Sequence, residues 1–238
     1  KSPRHHEYVD IGSGPDGVRA FVVYPESSSK APAALVIHEN KGLTDWVRSF
    51  ADRLAEAGFI ALAPDLLTRF DEQHADTAAF GGDDAARAAL YKLDANQVLK
   101  RLLAAREYAA RIPAGNGKVA SVGFCWGGGQ SFRLASASPD LAAAVVFYGT
   151  APEDAEALRS IAAPVYGFYG GNDARVNATV EPTALRMKEL GKSFDPKTYD
   201  GAGHGFMRTG EDAAASEADR KARGEAWQRL AGVLDRLR

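Results

Sequence analysis

The run VASVGFCWGGGQS holds the chain's only cysteine, Cys125. It stands within Gly123-Phe124-Cys125-Trp126-Gly127, a G-x-C-x-G pattern between an apolar stretch and a segment that opens on glycines. This is the cysteine form of G-x-S-x-G, in which the chain turns sharply from strand to helix and flanking glycines let a nucleophile project above a sheet. The helix that follows directs its N-terminus at the sulfur, where partial positive charge favours thiolate over thiol. A lone cysteine at a strand end can also be a small core residue. The apolar strand before it and GGGQSFRLA after it favour the reactive reading.

A displayed thiol needs a base. After Cys125 the sequence holds one histidine, His204, in YDGAGHGFM, and between the two VYGFYGGNDARV places Asp173 in a turn just after a strand. An acid there orients the imidazole and stabilises its charged form, and the order nucleophile, acid, histidine is the one this turn implies. Taken alone, Asp173 reads equally well as a turn residue. Upstream, His38 and Glu39 end the apolar run in LVIHENKGL. A glutamate at the rim of a buried sheet is paired or functional, so Glu39 is either an auxiliary catalytic group or half of a structural salt bridge. The loop after that strand supplies one backbone N–H of an oxyanion hole and the residue after the nucleophile the other, which assigns the donors to Asn40 and Trp126. His5, His6 and His74 lack ligand spacing with Cys, Asp or Glu, so neither a metal site nor a cofactor is expected.

The elements that must position these residues alternate. RAFVVYP and AALVIHE read as strands, TDWVRSFADRLAEAG as a helix stopped by Gly58, and FIALAPD as a strand. A helical stretch within residues 83 to 111 precedes the strand KVASVGF, and a helix follows the cysteine. Then come LAAAVVFYG and APVYGFYG as strands, a helix around residues 179 to 190, FDPKTYD as a strand and a long helix from about Ala213. This is the pattern of an α/β fold with a mostly parallel sheet covered by helices on both faces. Such sheets carry ligands at the carboxyl ends of their strands, where all the candidate residues lie. YPESSSKAP is a surface loop, and no repeat or linker divides the 238 residues, which are expected to form one domain.

Composition narrows the classes. A formal charge of -2 with acids and bases interspersed leaves no basic face for nucleic acid or anionic lipid, and no apolar run suits a membrane span. A small-molecule partner is expected, with a monomer or small homo-oligomer as the assembly. One cysteine forbids an intramolecular disulfide. A redox-sensing thiol would lack a second cysteine to resolve it.

Together IHE after a strand, GFCWGG, Asp173 and GHGFMRTG resemble the dienelactone hydrolase (carboxymethylenebutenolidase) family, which has the α/β-hydrolase fold. The resemblance runs from about Tyr8 to the last helix. It implies Cys125 as nucleophile, His204 as general base and acid, and Asp173 as its orienter. Glu39 would sit near the thiol and Arg208, and substrate binding would rearrange these charges so that the thiolate forms. Arg87 and Arg208 would clamp a substrate carboxylate, with Tyr91 beside them; the planar guanidinium suits that task. The sequence departs from the best-known members at Asn40-Lys41, where they carry an apolar-aromatic pair, and at Trp126, where a smaller aliphatic residue is common. Related chains with a similar start carry an export signal, which implies a periplasmic or secreted protein, the cytoplasm being the alternative. The implied activity is hydrolysis of an activated, carboxylate-bearing ester or lactone through an acyl-enzyme. A broader carboxylesterase or thioesterase without the clamp, and a non-catalytic binding protein on the same fold, are the competing readings.

Overall fold

The β-branched and aliphatic runs that read as strands are strands, and what joins them decides where chemistry can be placed. The computed structural model describes residues 2–238 and contains two units, one ending at Ser121 and one beginning at Val122. The first holds β1 (His6–Ile11), β2 (Val18–Val23), β3 (Ala31–Ile37), α1 (Asp45–Glu56), β4 (Ile60–Asp65), α2 (Asp83–Leu90) and α3 (Ala95–Arg111). β5 (Gly115–Phe124) carries the chain into the second, which holds α4 (Trp126–Ala137), β6 (Ala143–Phe147), α5 (Ala155–Ser160), β7 (Val165–Gly170), α6 (Ala174–Glu189), β8 (Phe194–Tyr199), α7 (Phe206–Thr209) and α8 (Glu217–Asp235). The expected α/β fold with a mostly parallel sheet is present.

In the first unit the strand order is β1-β2-β4-β3. β1 and β2 pair antiparallel with His6 opposite Val23, β2 and β4 antiparallel with Phe21 opposite Ala63, and β3 and β4 parallel with Leu35 near Leu62. β3 is buried along its whole length, which explains its unbroken apolar sequence. α1 turns Val47, Phe50 and Leu54 inward, and Gly58, at φ +93°, lets the chain leave it. In the second unit β6, β7 and β8 pair parallel, Phe147 beside Phe168 and Tyr169 beside Thr198. Phe147 stacks on Phe124 and on Phe168, with ring centroids 4.8 and 4.4 Å apart. That aromatic layer lies under the carboxyl ends of the strands.

Several boundaries differ from the sequence reading. The stretch within residues 83 to 111 is two helices, broken before Asp94, whose carboxylate accepts from the N–H groups of Asn96 and Gln97 and so starts α3 afresh. α6 begins at Ala174 rather than near 179, because Asp173 caps it by accepting from Val176 N–H. α8 begins at Glu217, not Ala213, where Ser216 caps it. β1 did not show as an apolar run because most of its side chains face solvent.

The ends of β3 and β4 are tied by buried polar groups. His38, fully buried, donates from Nδ1 to the Glu39 carbonyl at 2.7 Å and accepts the Leu66 N–H at Nε2 at 3.2 Å. The ring is therefore neutral, and burial lowers its pKa from the ordinary value. Asp65, at the end of β4, accepts from Leu67 N–H at 3.0 Å, Thr77 N–H at 2.8 Å and Thr77 Oγ1 at 2.7 Å. Thr77 Oγ1 in turn accepts from Leu43 N–H at 3.0 Å, fixing the loop that follows Glu39. Asp65→Ala leaves those donors unanswered in a buried site, and a loss of about 2–4 kcal/mol is expected in urea unfolding. Asp65→Asn, which retains an acceptor, should lose about half as much; equal losses would show that charge rather than hydrogen bonding fixes the loop.

Candidate active site

Cys125 is the residue between β5 and α4, half-buried and not in a disulfide. Its backbone lies at φ +54° and ψ −115°, a region that side chains with a Cβ rarely occupy. The glycines around it are required by contact. A Cβ on Gly123 would come within 2.0 Å of the Gly127 carbonyl oxygen, and one on Gly128 within 2.7 Å of the Phe147 oxygen. A Cβ on Gly149, just after β6, would meet the Gly128 carbonyl carbon at 2.4 Å. β6 and α4 thus touch backbone to backbone beside the thiol. Cys125 N–H donates to the Phe147 carbonyl at 3.0 Å, while its own carbonyl accepts from Gly128 and Gly129 N–H at 3.0 and 3.3 Å. The turn is locked on both sides of the sulfur.

His204 follows β8 by five residues and Asp173 follows β7 by three, so the three groups reach the same end of the sheet in the second unit. His204 Nδ1 is 2.5 Å from Asp173 Oδ2. The imidazole also hydrogen bonds the Cys125 side chain. That bond is the main cause that pushes its pKa up to about 9; burial opposes the rise and the Asp173 carboxylate adds to it. Asp173 is 8% exposed and spends its other oxygen capping α6, so a helix N-terminus supports the same carboxylate that holds the imidazole.

The remaining candidates divide between the units. In the first, Glu39 is buried just past β3, Asn40 Nδ2 donates to Tyr91 Oη at 3.2 Å, and Lys41 Nζ pairs with Asp83 at 2.5 Å. Arg87, on α2, pairs with Asp84 one turn earlier at 2.9 Å, and Tyr91 is 62% exposed. In the second, Trp126 is the first residue of α4 and Arg208 lies on α7, four residues past His204. The structure brings Cys125, His204 and Asp173 together, and separately joins Asn40 to Tyr91.

Two residues went unnoticed in the sequence. Tyr148, buried and at φ +42°, lays its ring 5.0 Å from the His204 ring and 5.5 Å from that of Phe206. An aromatic residue ending a strand carries no signal of such strain. Asp219, on α8, accepts from Gly203 N–H at 2.8 Å and from Thr209 Oγ1 at 2.7 Å. One aspartate in a helix rich in charged residues carries no such signal. Among the described residues no cluster of three or more His, Cys, Asp or Glu could hold a metal ion.

Comparison with known proteins gives the family. The dienelactone hydrolase family model matches residues 18–237. A protein named "Putative carboxymethylenebutenolidase" from Saccharolobus solfataricus is 31% identical, the match covering 92% of this chain and 94% of that one. Among solved structures, the dienelactone hydrolase-like promiscuous phosphotriesterase P91 from metagenomic libraries superposes with a TM-score of 0.80 at 25% identity, covering 98% of each chain. The dienelactone hydrolase of Anabaena variabilis shares the fold, with a TM-score of 0.71 at 21% identity and 96% of each chain covered. The chain belongs to the dienelactone hydrolase family and is a carboxylic ester hydrolase.

Proposed function

We propose that the chain cleaves an activated, carboxylate-bearing ester or lactone through a Cys125-His204-Asp173 triad and an acyl-enzyme. The observation that carries the reading is His204 hydrogen bonded to Cys125 on one side and Asp173 on the other, beside a backbone turn that displays the sulfur. Cys125 Sγ attacks the carbonyl carbon, forming an S–C bond and a tetrahedral oxyanion. The oxyanion rests on the backbone N–H groups of Asn40 and Trp126. The C–O bond then breaks, His204 passes its proton to the departing oxygen, and the thioester remains. Water gives a proton to the now neutral imidazole, adds to the thioester and releases the acid, and the sulfur recovers its starting form.

A thiolate leaves as readily as it attacks, so a poorly activated ester returns from the tetrahedral state to substrate. An enol lactone expels a stable enolate instead and goes forward. The family resemblance assigns Arg87, Arg208 and Tyr91 to binding the substrate carboxylate and Glu39 to charge balance for the thiolate. Arg87 holds the carboxylate of exposed Asp84 through Nη1 at 2.9 Å, a pairing that a substrate anion would displace. A broader esterase without the clamp is favoured only if that pairing is permanent.

The test compares kcat/KM for a carboxylate-bearing enol lactone and for its neutral methyl ester. A strong preference for the anion is expected, with Arg87→Ala and Arg208→Ala each raising KM for it about tenfold or more. Equal turnover of both would leave the triad and remove the clamp. Cys125→Ala should lower kcat by at least about a thousandfold, and mass spectrometry of the wild type during turnover should find an acyl group on Cys125.

The imidazole supplies a pH test. In a proton NMR titration His204 should change charge near pH 9, and in Cys125→Ala it should fall toward 6.5, because the thiol hydrogen bond is the largest cause of the shift. A proton bound more tightly in the folded state stabilises it fully below pH 6.5, and that contribution is lost as pH rises through 9. The wild-type advantage over His204→Gln in urea should therefore shrink across that interval. An advantage that grew with pH would contradict the assignment.

A further inference from the structure

His204 sits in a segment with little regular structure: four-residue α7 is all that separates it from the loop before α8. Gly201 and Gly205 stand at φ +72° and +81°, so the backbone itself supplies little rigidity there. Yet the imidazole must hold two partners at once, within a fraction of an ångström. The restraint comes from the first two turns of α8. Asp219 Oδ1 accepts from the N–H of Gly203, the residue before His204, at 2.8 Å. Its Oδ2 accepts from Thr209 Oγ1, the residue after Arg208, at 2.7 Å. One carboxylate thus grips the segment at both ends.

One turn further on, Arg223 Nε donates to the Met207 carbonyl at 3.2 Å, and its second arm pairs with Glu211 at 2.7 Å. Gly210 approaches so closely that a Cβ there would lie 2.7 Å from the Asp219 carbonyl oxygen. The clamp is itself anchored, since Ser216 Oγ accepts the Asp219 N–H at 3.0 Å and caps the helix. In an ordinary capping box the acid three residues past the cap turns back to the cap's own N–H. Asp219 occupies that position, and both of its oxygens serve the histidine segment instead.

We infer that Asp219, assisted by Arg223, is the positioning residue that holds the His204–Arg208 segment in its catalytic geometry. This rests on the triad reading. Asp219 touches neither the sulfur nor the imidazole and acts through the backbone on either side of them.

Three variants test it: Asp219→Ala, Asp219→Asn and Thr209→Val. Asn retains an acceptor for Gly203 N–H and can donate to Thr209 Oγ1, so it preserves both links without the charge. Val removes one link and leaves the charge. The expected result is a fall in kcat of about ten- to a hundredfold for Asp219→Ala, with KM for the anionic lactone rising severalfold because Arg208 lies in the same segment, smaller changes for Thr209→Val, and near wild-type kcat and KM for Asp219→Asn. The substrate-free His204 titration should follow the same order, moving toward 6.5 in the Ala variant and staying close to 9 in the Asn variant. If Asn shifts the titration as far as Ala does, Asp219 acts through its charge and the positioning role is overturned. If Thr209→Val leaves both kcat and titration unchanged, the two-ended grip is overturned even should Asp219→Ala fail to fold. Full activity in Cys125→Ala would reject the triad alone, because the titration reads the clamp without substrate.

Discussion

The conformation of Cys125 is the constraint from which the second unit is built. A non-glycine residue at positive φ costs about 1–3 kcal/mol and persists only where its surroundings leave no alternative. Here the alternatives are removed by contact: Gly149, just after β6, lies against Gly128 of α4, and Cys125 N–H is committed to the Phe147 carbonyl. Relaxing the turn would require β6 and α4 to separate. Their separation would expose the layer of Phe124, Phe147 and Phe168, all fully buried. The strain at the thiol is therefore held by the hydrophobic core beneath it, which is why the site needs three glycines in places where alanine would be the better helix or strand former.

Electrostatics follow from that turn. The sulfur is displayed at a helix start, and the imidazole that meets it is raised to about 9 against the opposing effect of burial. A second helix start, that of α6, supports the Asp173 carboxylate on the far side of the ring. A third, that of α8, fixes the backbone that carries the ring. Three helix starts thus bear on one histidine: α4 at the sulfur, α6 through its Asp173 cap, and α8 through Asp219 in its first turn. Tyr148 closes the remaining side with an aromatic face, at the further cost of a second positive φ.

Glycine punctuation made much of this legible. Cys125 was readable because a strand, a thiol and a run of glycines fall in an order that has few uses, and His204 because a glycine-lined loop holds the last histidine. Asp173 was placed by order alone, and its second duty as the cap of α6 was missed, which is also why that helix was begun too late. Tyr148 and Asp219 stayed hidden for a different reason. Their meaning lies in contacts across 56 and 16 residues, and local patterns carry no record of such contacts. β1 was missed because an exposed edge strand has no need of an apolar face.

The residues proposed to bind substrate are the least legible, and those of the first unit give the physical reason. Asn40 and Lys41 are each bonded to a residue at one end of the α2 segment: Asn40 to Tyr91 and Lys41 to Asp83. An apolar-aromatic pair would position the same helix by packing, which tolerates sliding; a hydrogen bond and an ion pair fix direction instead. Arg87 lies between those two attachment points, on the same eight-residue helix, so its place is set by that hydrogen bond and ion pair. The ion pair is half in solvent and is worth at most about 1 kcal/mol, too little to dictate the fold but enough to shift a binding constant severalfold. This attachment can therefore change at little cost to the fold, whereas the turn at Cys125 is held by backbone contacts that leave no room for a Cβ.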